Sequence, residues 1–198
     1  MSVSAAAVKQ LRDKTGIGMM DCKKALVEVD GDMEKAVDLL RTRGMAAADK
    51  RIGRAAGEGF IGSYIHANGK IGVIVELNCE TDFVARNEEF RALARDLSMQ
   101  IAATNPLAVS TDDVDPEVVA RERAIYSEQV KDKPANIIEK IVDGKVKKFF
   151  DENCLLEQQF VKDTDRTIGE LVKTFAGKIG ENVSVKRFQR FAVGEDVS

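Results

Sequence analysis

Asp82 and Phe83, in the run Thr81-Asp82-Phe83-Val84-Ala85-Arg86-Asn87, set a carboxylate beside a large apolar ring where the flanking pattern makes a corner. Such a pair can act without breaking a bond: the ring can anchor in a partner's pocket while the acid interferes with a charged group there. The alternative is that Phe83 plugs this chain's own core, as most aromatics do. It is not half of a hydrophobic staple. With Asn87 as helix cap, the staple positions are Arg86 and Arg91, and neither is apolar. Other reactive residue types are sparse. Cys22, Cys79 and Cys154 are widely separated, form no C-x-x-C pair and share the chain with one histidine, His66. They read as reduced thiols, because a zinc site or thiol nucleophile needs a convergence that this spacing does not offer. Gly57-x-Gly59-x-x-Gly62 matches the dinucleotide fingerprint. That motif needs a strand before it and a helix after it, and here the glycines run into a strand. No Ser/His/Asp set, carboxylate dyad or phosphate loop remains, so the residues describe a binding protein with no cofactor and no metal, not an enzyme.

The corner must be positioned by the elements on either side. Upstream, Ile71, Val73, Val75 and Leu77 alternate with Gly72, Ile74, Glu76 and Asn78, which predicts a strand running into Cys79 and Glu80. Asn68-Gly69 joins it to a partner strand over residues 59–66 through a two-residue turn with both central positions at positive φ. That register pairs His66 with Ile71, Tyr64 with Val73, Gly62 with Val75 and Phe60 with Leu77, all on one core-facing side. His66, nearest the tip, lies at the rim of the core and is also a candidate partner contact. Downstream, Phe90, Leu93, Ala94, Leu97 and Ile101 mark one helical face, with Asn87 as N-cap and Glu88 and Glu89 in the first turn.

Before the hairpin, residues 4–43 read as three short helices. Val8 and Leu11 face inward in the first, Ala25 and Leu26 in the second, and Ala36, Val37, Leu39 and Leu40 in a third that Asp32 caps and Gly44 ends. This is a compact unit of the ubiquitin-associated type, too small to be very stable alone. Met19 and Met20 follow a glycine-containing loop, where soft side chains suit an adaptable binding surface. With Lys23 they are candidate partner contacts. The Ala/Gly-rich stretch from Met45 to Gly57 reads as a partly helical linker. The expected domains are therefore 1–54, the three-helix unit plus linker, and 55–198, an α+β core.

Within that core, Asp115-Pro116 opens a helix, Lys131 to Pro134 turns, and a second helix follows, which predicts an antiparallel helical hairpin at about 115–150. Lys145, Lys147 and Lys148 read as its solvated face. Cys154 to Val161 is expected to be a strand, Thr167-Ile168-Gly169-Glu170 a capping box opening a helix, and Asn182 to Val193 a closing strand whose alternation slips between Val185 and Phe188. The fold class is α+β: a three-helix domain, then antiparallel sheet packed with helices.

At 198 residues, with 44% hydrophobic and 32% charged residues, the chain can bury a core in one or two domains. Its net charge of -3 provides no basic field, so direct nucleic-acid binding is not expected. Charge is uneven, with 11 Lys and Arg against 8 Asp and Glu in residues 1–54. The start lacks a charged segment followed by an apolar one, and no apolar run approaches the roughly 20 residues that span a bilayer, so a soluble, cytoplasmic protein with no membrane contact is expected.

Three runs together, Leu11 to Leu26, Thr81 to Asn87 and Val183 to Val193, make the chain resemble elongation factor Ts in its short, single-core form. The family is the guanine-nucleotide exchange factor of the translational GTPase elongation factor Tu. The resemblance implies that Thr81, Asp82, Phe83 and Val84 match the segment that enters the GTPase near its bound magnesium. Phe83 would insert between elements of the partner, and Asp82 would disturb the network that holds the ion. It implies also that the second helix or the loop before it docks on the GTPase domain, and that the helical hairpin protrudes. Longer members resemble two core halves in tandem. One half here implies a homodimer joined at an exposed sheet edge, and a heterotetramer with two partner molecules. The competing function is an adaptor whose three-helix domain binds another protein or nucleic acid.

Overall fold

The computed structural model describes residues 3–195, whose contacts group into two units. One holds the chain up to Phe60 with Leu77–Arg91 and Glu170–Ser184; the other holds Ile61–Glu76, Ala92–Gly169 and the chain from Val185. The strands form a three-stranded sheet of order β1-β2-β5, from Glu58–Ile65, Ile71–Cys79 and Ser184–Ala192, and a two-stranded antiparallel sheet of β3, Gln159–Phe160, with β4, Asp163–Thr167. With eight α-helices among the described residues, the fold is α+β, three helices preceding the sheets as the pattern predicts.

The first unit begins with α1 (Ala5–Thr15), α2 (Met19–Glu28) and α3 (Met33–Asp49). Their ends are chemically marked. The Ser4 hydroxyl accepts from the Ala7 N–H at 3.2 Å, Gly16 closes α1 at φ 70°, and the Asp32 carboxylate accepts from the N–H groups of Glu34 and Lys35 at 3.1 Å each. Val8, Leu11, Cys22, Ala25, Leu26, Ala36 and Leu40 form their shared core. Gly44 does not end the third helix, contrary to the expectation. Helix α3 runs five residues further, to Asp49, because Gly44 serves close approach instead of termination. It faces Gly177 of α8 (Ile168–Ile179) so tightly that a Cβ on Gly177 would lie 2.5 Å from the Gly44 carbonyl oxygen. The Lys173–Asp49 ion pair at 2.6 Å adds to the same contact.

In the same unit, β2 ends at Cys79, the short helix α4 covers Asp82–Ala85, and α5 (Glu88–Thr104) begins. Asn87 caps α5 as its position predicts, its side-chain oxygen accepting from the Glu89 N–H at 2.8 Å. The Phe90 ring lies 6.1 Å from that of Phe175, tilted by 45°.

The second unit holds the tip of the strand hairpin. The expected closing pair is present, with the His66 N–H donating to the Ile71 carbonyl at 2.9 Å, but the turn differs from the one anticipated. Its bond runs from the Gly69 N–H to the His66 carbonyl at 2.7 Å, so Ala67 and Asn68 are central, and only Gly69 takes positive φ, at 69°. Four residues bridge the strands, so Asn68 never enters the left-handed region that a two-residue turn would demand. Val73, Val75 and Leu77 are buried as predicted. Gly62 is buried too, where a Cβ would fall 2.9 Å from that of Ala94 on α5; Gly59 cannot carry one without meeting the Leu77 carbonyl oxygen. The glycine triplet that mimics a phosphate loop therefore includes two residues required by close backbone packing.

Helices α6 (Pro116–Gln129) and α7 (Ala135–Asn153) form the predicted hairpin, tied by Arg123–Asp143 at 2.6 Å and by the Lys145 ammonium over the Tyr126 ring. Its base is fixed by Ala108, Val114 and Cys154, against which Phe149 and Phe150 pack. The strand expected over Cys154–Val161 shrinks to Gln159–Phe160. Alternation fails there because the adjacent residues Cys154 and Leu155 are both fully buried, which a chain with period 2 on a one-sided sheet does not achieve. Gln158 turns in to accept from Thr104 at 2.7 Å and Gln100 at 3.1 Å and to donate to the Glu152 carbonyl at 2.8 Å, a satisfied buried amide that directs a turn.

Candidate functional site

The corner after β2 is built from the backbone outward. Thr81 is the N-cap of α4, its hydroxyl oxygen facing the Val84 N–H at 3.5 Å. At the far end the Arg91 guanidinium donates to the Ala85 carbonyl at 3.4 Å while lying 5.1 Å from the Phe60 ring centroid. Ala85 is buried beneath the turn, Thr81, Asp82 and Val84 are half-buried, and Phe83 is 82% exposed. The ring is thus not a plug for this chain's interior. Asp82 meets Arg86 across one helical turn at 2.9 Å. Arg86 is well exposed and Asp82 partly so, and such pairs are weak enough to be exchanged for another partner.

Spacing along the sequence does not reveal what holds this corner. The Glu181 carboxylate accepts from the N–H groups of Glu80 and Thr81, at 3.1 Å each, and from the Thr81 hydroxyl at 2.6 Å. The favour is returned: the Glu80 carboxylate accepts from the Asn182 N–H at 2.6 Å, and the Asn182 side chain donates to the Arg54 carbonyl at 2.9 Å. Gly180, at φ 79°, turns the chain out of α8 and aims Glu181 inward. Below lies Cys79, whose thiol donates to the Thr81 carbonyl at 3.2 Å. Burial pushes that thiol up to about 11, with the Glu181 charge adding to the effect.

The methionine turn belongs to the same unit. Met19 is 43% and Met20 64% exposed at the start of α2, and Lys23 is exposed one turn on. Its support is local. Thr15 donates to the Leu11 carbonyl at 2.8 Å and accepts from the Ile17 N–H at 3.3 Å, and the buried Cys22 thiol donates to the Ile17 carbonyl at 3.4 Å. Gly16 lines one shallow cleft with Asn87, Glu88, Glu89, Lys178 and Ile179, where Lys178 pairs with Glu89 at 2.7 Å.

His66 lies in the other unit, exposed at the hairpin tip, its Nδ1 3.0 Å from the Tyr64 hydroxyl. Of the three cysteines, all buried and free, none pairs with another. Among the described residues no group of three or more His, Cys, Asp or Glu is placed to hold a metal ion, and no described helix is long and apolar enough to cross a membrane. What the corner offers is therefore a clamped turn presenting one ring and one carboxylate.

The family model described as Elongation factor TS matches residues 48–195. The chain is 58% identical over 195 residues to an elongation factor Ts of Oleidesulfovibrio alaskensis, covering 98% of each protein. It is 56% identical over 196 residues to one from Desulfosudis oleivorans, with 98% and 99% covered, and 55% identical over 197 residues to one from Geobacter sulfurreducens, with 98% and 91% covered.

Proposed function

We propose, from the premise that this chain belongs to the elongation factor Ts family of translation elongation factors, that it is the guanine-nucleotide exchange factor of elongation factor Tu and works without a nucleotide of its own. The exposure of the Phe83 ring on a turn held at both ends is the observation that carries this reading. An exchange factor binds the nucleotide-free GTPase more tightly than the loaded one, and linkage then weakens nucleotide binding by the same factor. Swinging a site from mostly full to mostly empty takes about 5.5 kcal/mol of differential binding. A buried aromatic anchor supplies roughly 2–4 kcal/mol, so one wedge plus a second docking surface suffices.

In this mechanism Phe83 inserts between elements of the GTPase beside its magnesium site, displacing them. Asp82 trades its exposed partner Arg86 for groups that hold the ion, and a magnesium ion with poorer coordination grips the phosphates less well. Thr81 and Val84 set the turn that presents the pair, and Met19, Met20 and Lys23 supply the second surface. The decisive measurement is release of fluorescent GDP from purified elongation factor Tu. Release accelerated by catalytic amounts of this protein is expected, and an unchanged rate refutes the proposal.

The assembly we propose is a homodimer binding two elongation factor Tu molecules. The joint is the sheet edge at β1, where Ile61 and Ile65 are exposed and Ile74 of β2 extends the apolar surface that a second copy would cover. Sedimentation should give twice the chain mass for this protein and a two-plus-two complex with the GTPase. A monomeric mass at micromolar concentration rejects this assembly.

A further inference from the structure

We infer that Glu181 is the positioning residue of the exchange wedge: it holds Phe83 in its working attitude from 98 positions away in sequence, without touching the partner itself. The inference rests on the exchange reading above and goes beyond it, since Glu181 lies outside the Thr81–Val84 segment. Phe83, being mostly exposed, receives little guidance from packing; its placement is only as firm as the α4 backbone that carries it. That backbone begins at Thr81, and three of the donors at its approach, two N–H groups and one hydroxyl, converge on one carboxylate.

The direction of the hydroxyl matters. An ionised carboxylate only accepts, so the Thr81 hydroxyl must donate its proton to Glu181, which leaves its lone pairs toward the Val84 N–H at the start of α4. Glu181 therefore sets the polarity of the cap as well as its place. Glu80 and Asn182 make the reciprocal bond, so the two segments are clamped at adjacent residues and the wedge cannot swing about a single contact. A ring that must be forced into another protein gains from such preorganisation, because freedom retained in the free state is lost on insertion.

The test uses the full chain with Glu181→Ala, Glu181→Gln and Phe83→Ala, and the double variant Glu181→Ala/Phe83→Ala, in fluorescent GDP release from elongation factor Tu over a range of factor concentrations. Glu181→Ala is expected to lower the maximal release rate roughly ten-fold, about 1.4 kcal/mol of transition-state free energy, with a smaller change in half-saturating concentration. Glu181→Gln, which keeps an acceptor for the two N–H groups but offers the hydroxyl a donor, should fall between. In the Phe83→Ala background, Glu181→Ala should add less than two-fold, since a residue acting through the ring has nothing left to position. Equal losses in both backgrounds, or a maximal rate that Glu181→Ala leaves unchanged, overturns the proposal. So does a loss accounted for by the unfolded fraction, measured by thermal melting of each variant. If the unmodified protein accelerates release and only Glu181→Ala lacks its effect, this inference fails while the exchange function stands; if the unmodified protein does nothing, the exchange function itself fails.

Discussion

The phenylalanine corner and the methionine turn share one plan and differ in one respect. Each exposes large apolar side chains at the start of a helix, and each rests on a fully buried cysteine whose thiol donates to a carbonyl of the turn, Cys79 to Thr81 and Cys22 to Ile17. The difference is reach. Around Met19 and Met20 the supporting bonds stay within residues 11–22, and the cap of α2 is Gly18, which contributes no side chain. Around Phe83 the chain is bound across about 100 positions, by Glu181 and Asn182. Flexible thioethers on a locally supported turn suit a surface that adapts to its partner, whereas a rigid ring on a clamped turn suits one that makes the partner adapt.

That contrast can be broken most directly at the ring. Phe83→Ala should cut the maximal rate of GDP release roughly 30-fold or more, corresponding to an anchor worth about 2–4 kcal/mol, while leaving the melting temperature within experimental scatter because the side chain is mostly exposed. A lowered melting temperature with normal exchange would make Phe83 a structural residue. Asp82→Ala should act in the same sense but less, roughly five- to ten-fold, since the exposed Arg86 pair it surrenders contributes little to folding. The magnesium dependence of release checks it: the loss should shrink when free magnesium is lowered with a chelator. Met20→Ala belongs to the other class. It should raise the half-saturating concentration about five-fold, roughly 1 kcal/mol, with the maximal rate retained. Met20→Ala lowering the maximal rate as much as Phe83→Ala would erase the distinction between the two turns.

The smallest effect is on pH. With burial holding Cys79 protonated to about 11, against an ordinary thiol value of 9.0, the folded state keeps a neutral group that the unfolded chain ionises earlier. Its contribution is intact below pH 9 and is lost as the pH rises through about 11, and Cys154, also held near 11 by burial, acts with the same sign. Urea midpoints should therefore decline over that window, and Cys79→Ser should flatten the decline.

Local chemistry is legible in the sequence at some helix starts, while the Thr81 cap of the short helix α4 is not. Asn87 caps the helix its position predicts, Asp32 does the same for α3, and the stripe from Phe90 to Ile101 is buried. Failures came where one residue type has two uses. Gly44 could end a helix or admit a neighbour, and only the approach of Gly177, 133 positions on, decides for the second. Cys154–Val161 alternates well enough to be read as a strand, and only the partners that Gln100 and Thr104 offer Gln158 turn it into a buried bend. At the candidate site the exposed ring and acid were visible as a pair, but their support was not: no periodicity connects Thr81 to Glu181, and a Glu after a helix-ending glycine is unremarkable by composition.

The Glu181 contact has a consequence for how the molecule comes into being. Since the strap on Thr81 arrives with residues 180–182, a chain emerging from the ribosome carries its Phe83 turn for about 100 residues of synthesis before that turn can lock. A chain ending ahead of Gly180 retains the ring but lacks the bonds from Glu181 and Asn182 that hold its turn. On the proposed exchange reading, competence to act on a GTPase is withheld until residues 180–182 have been made.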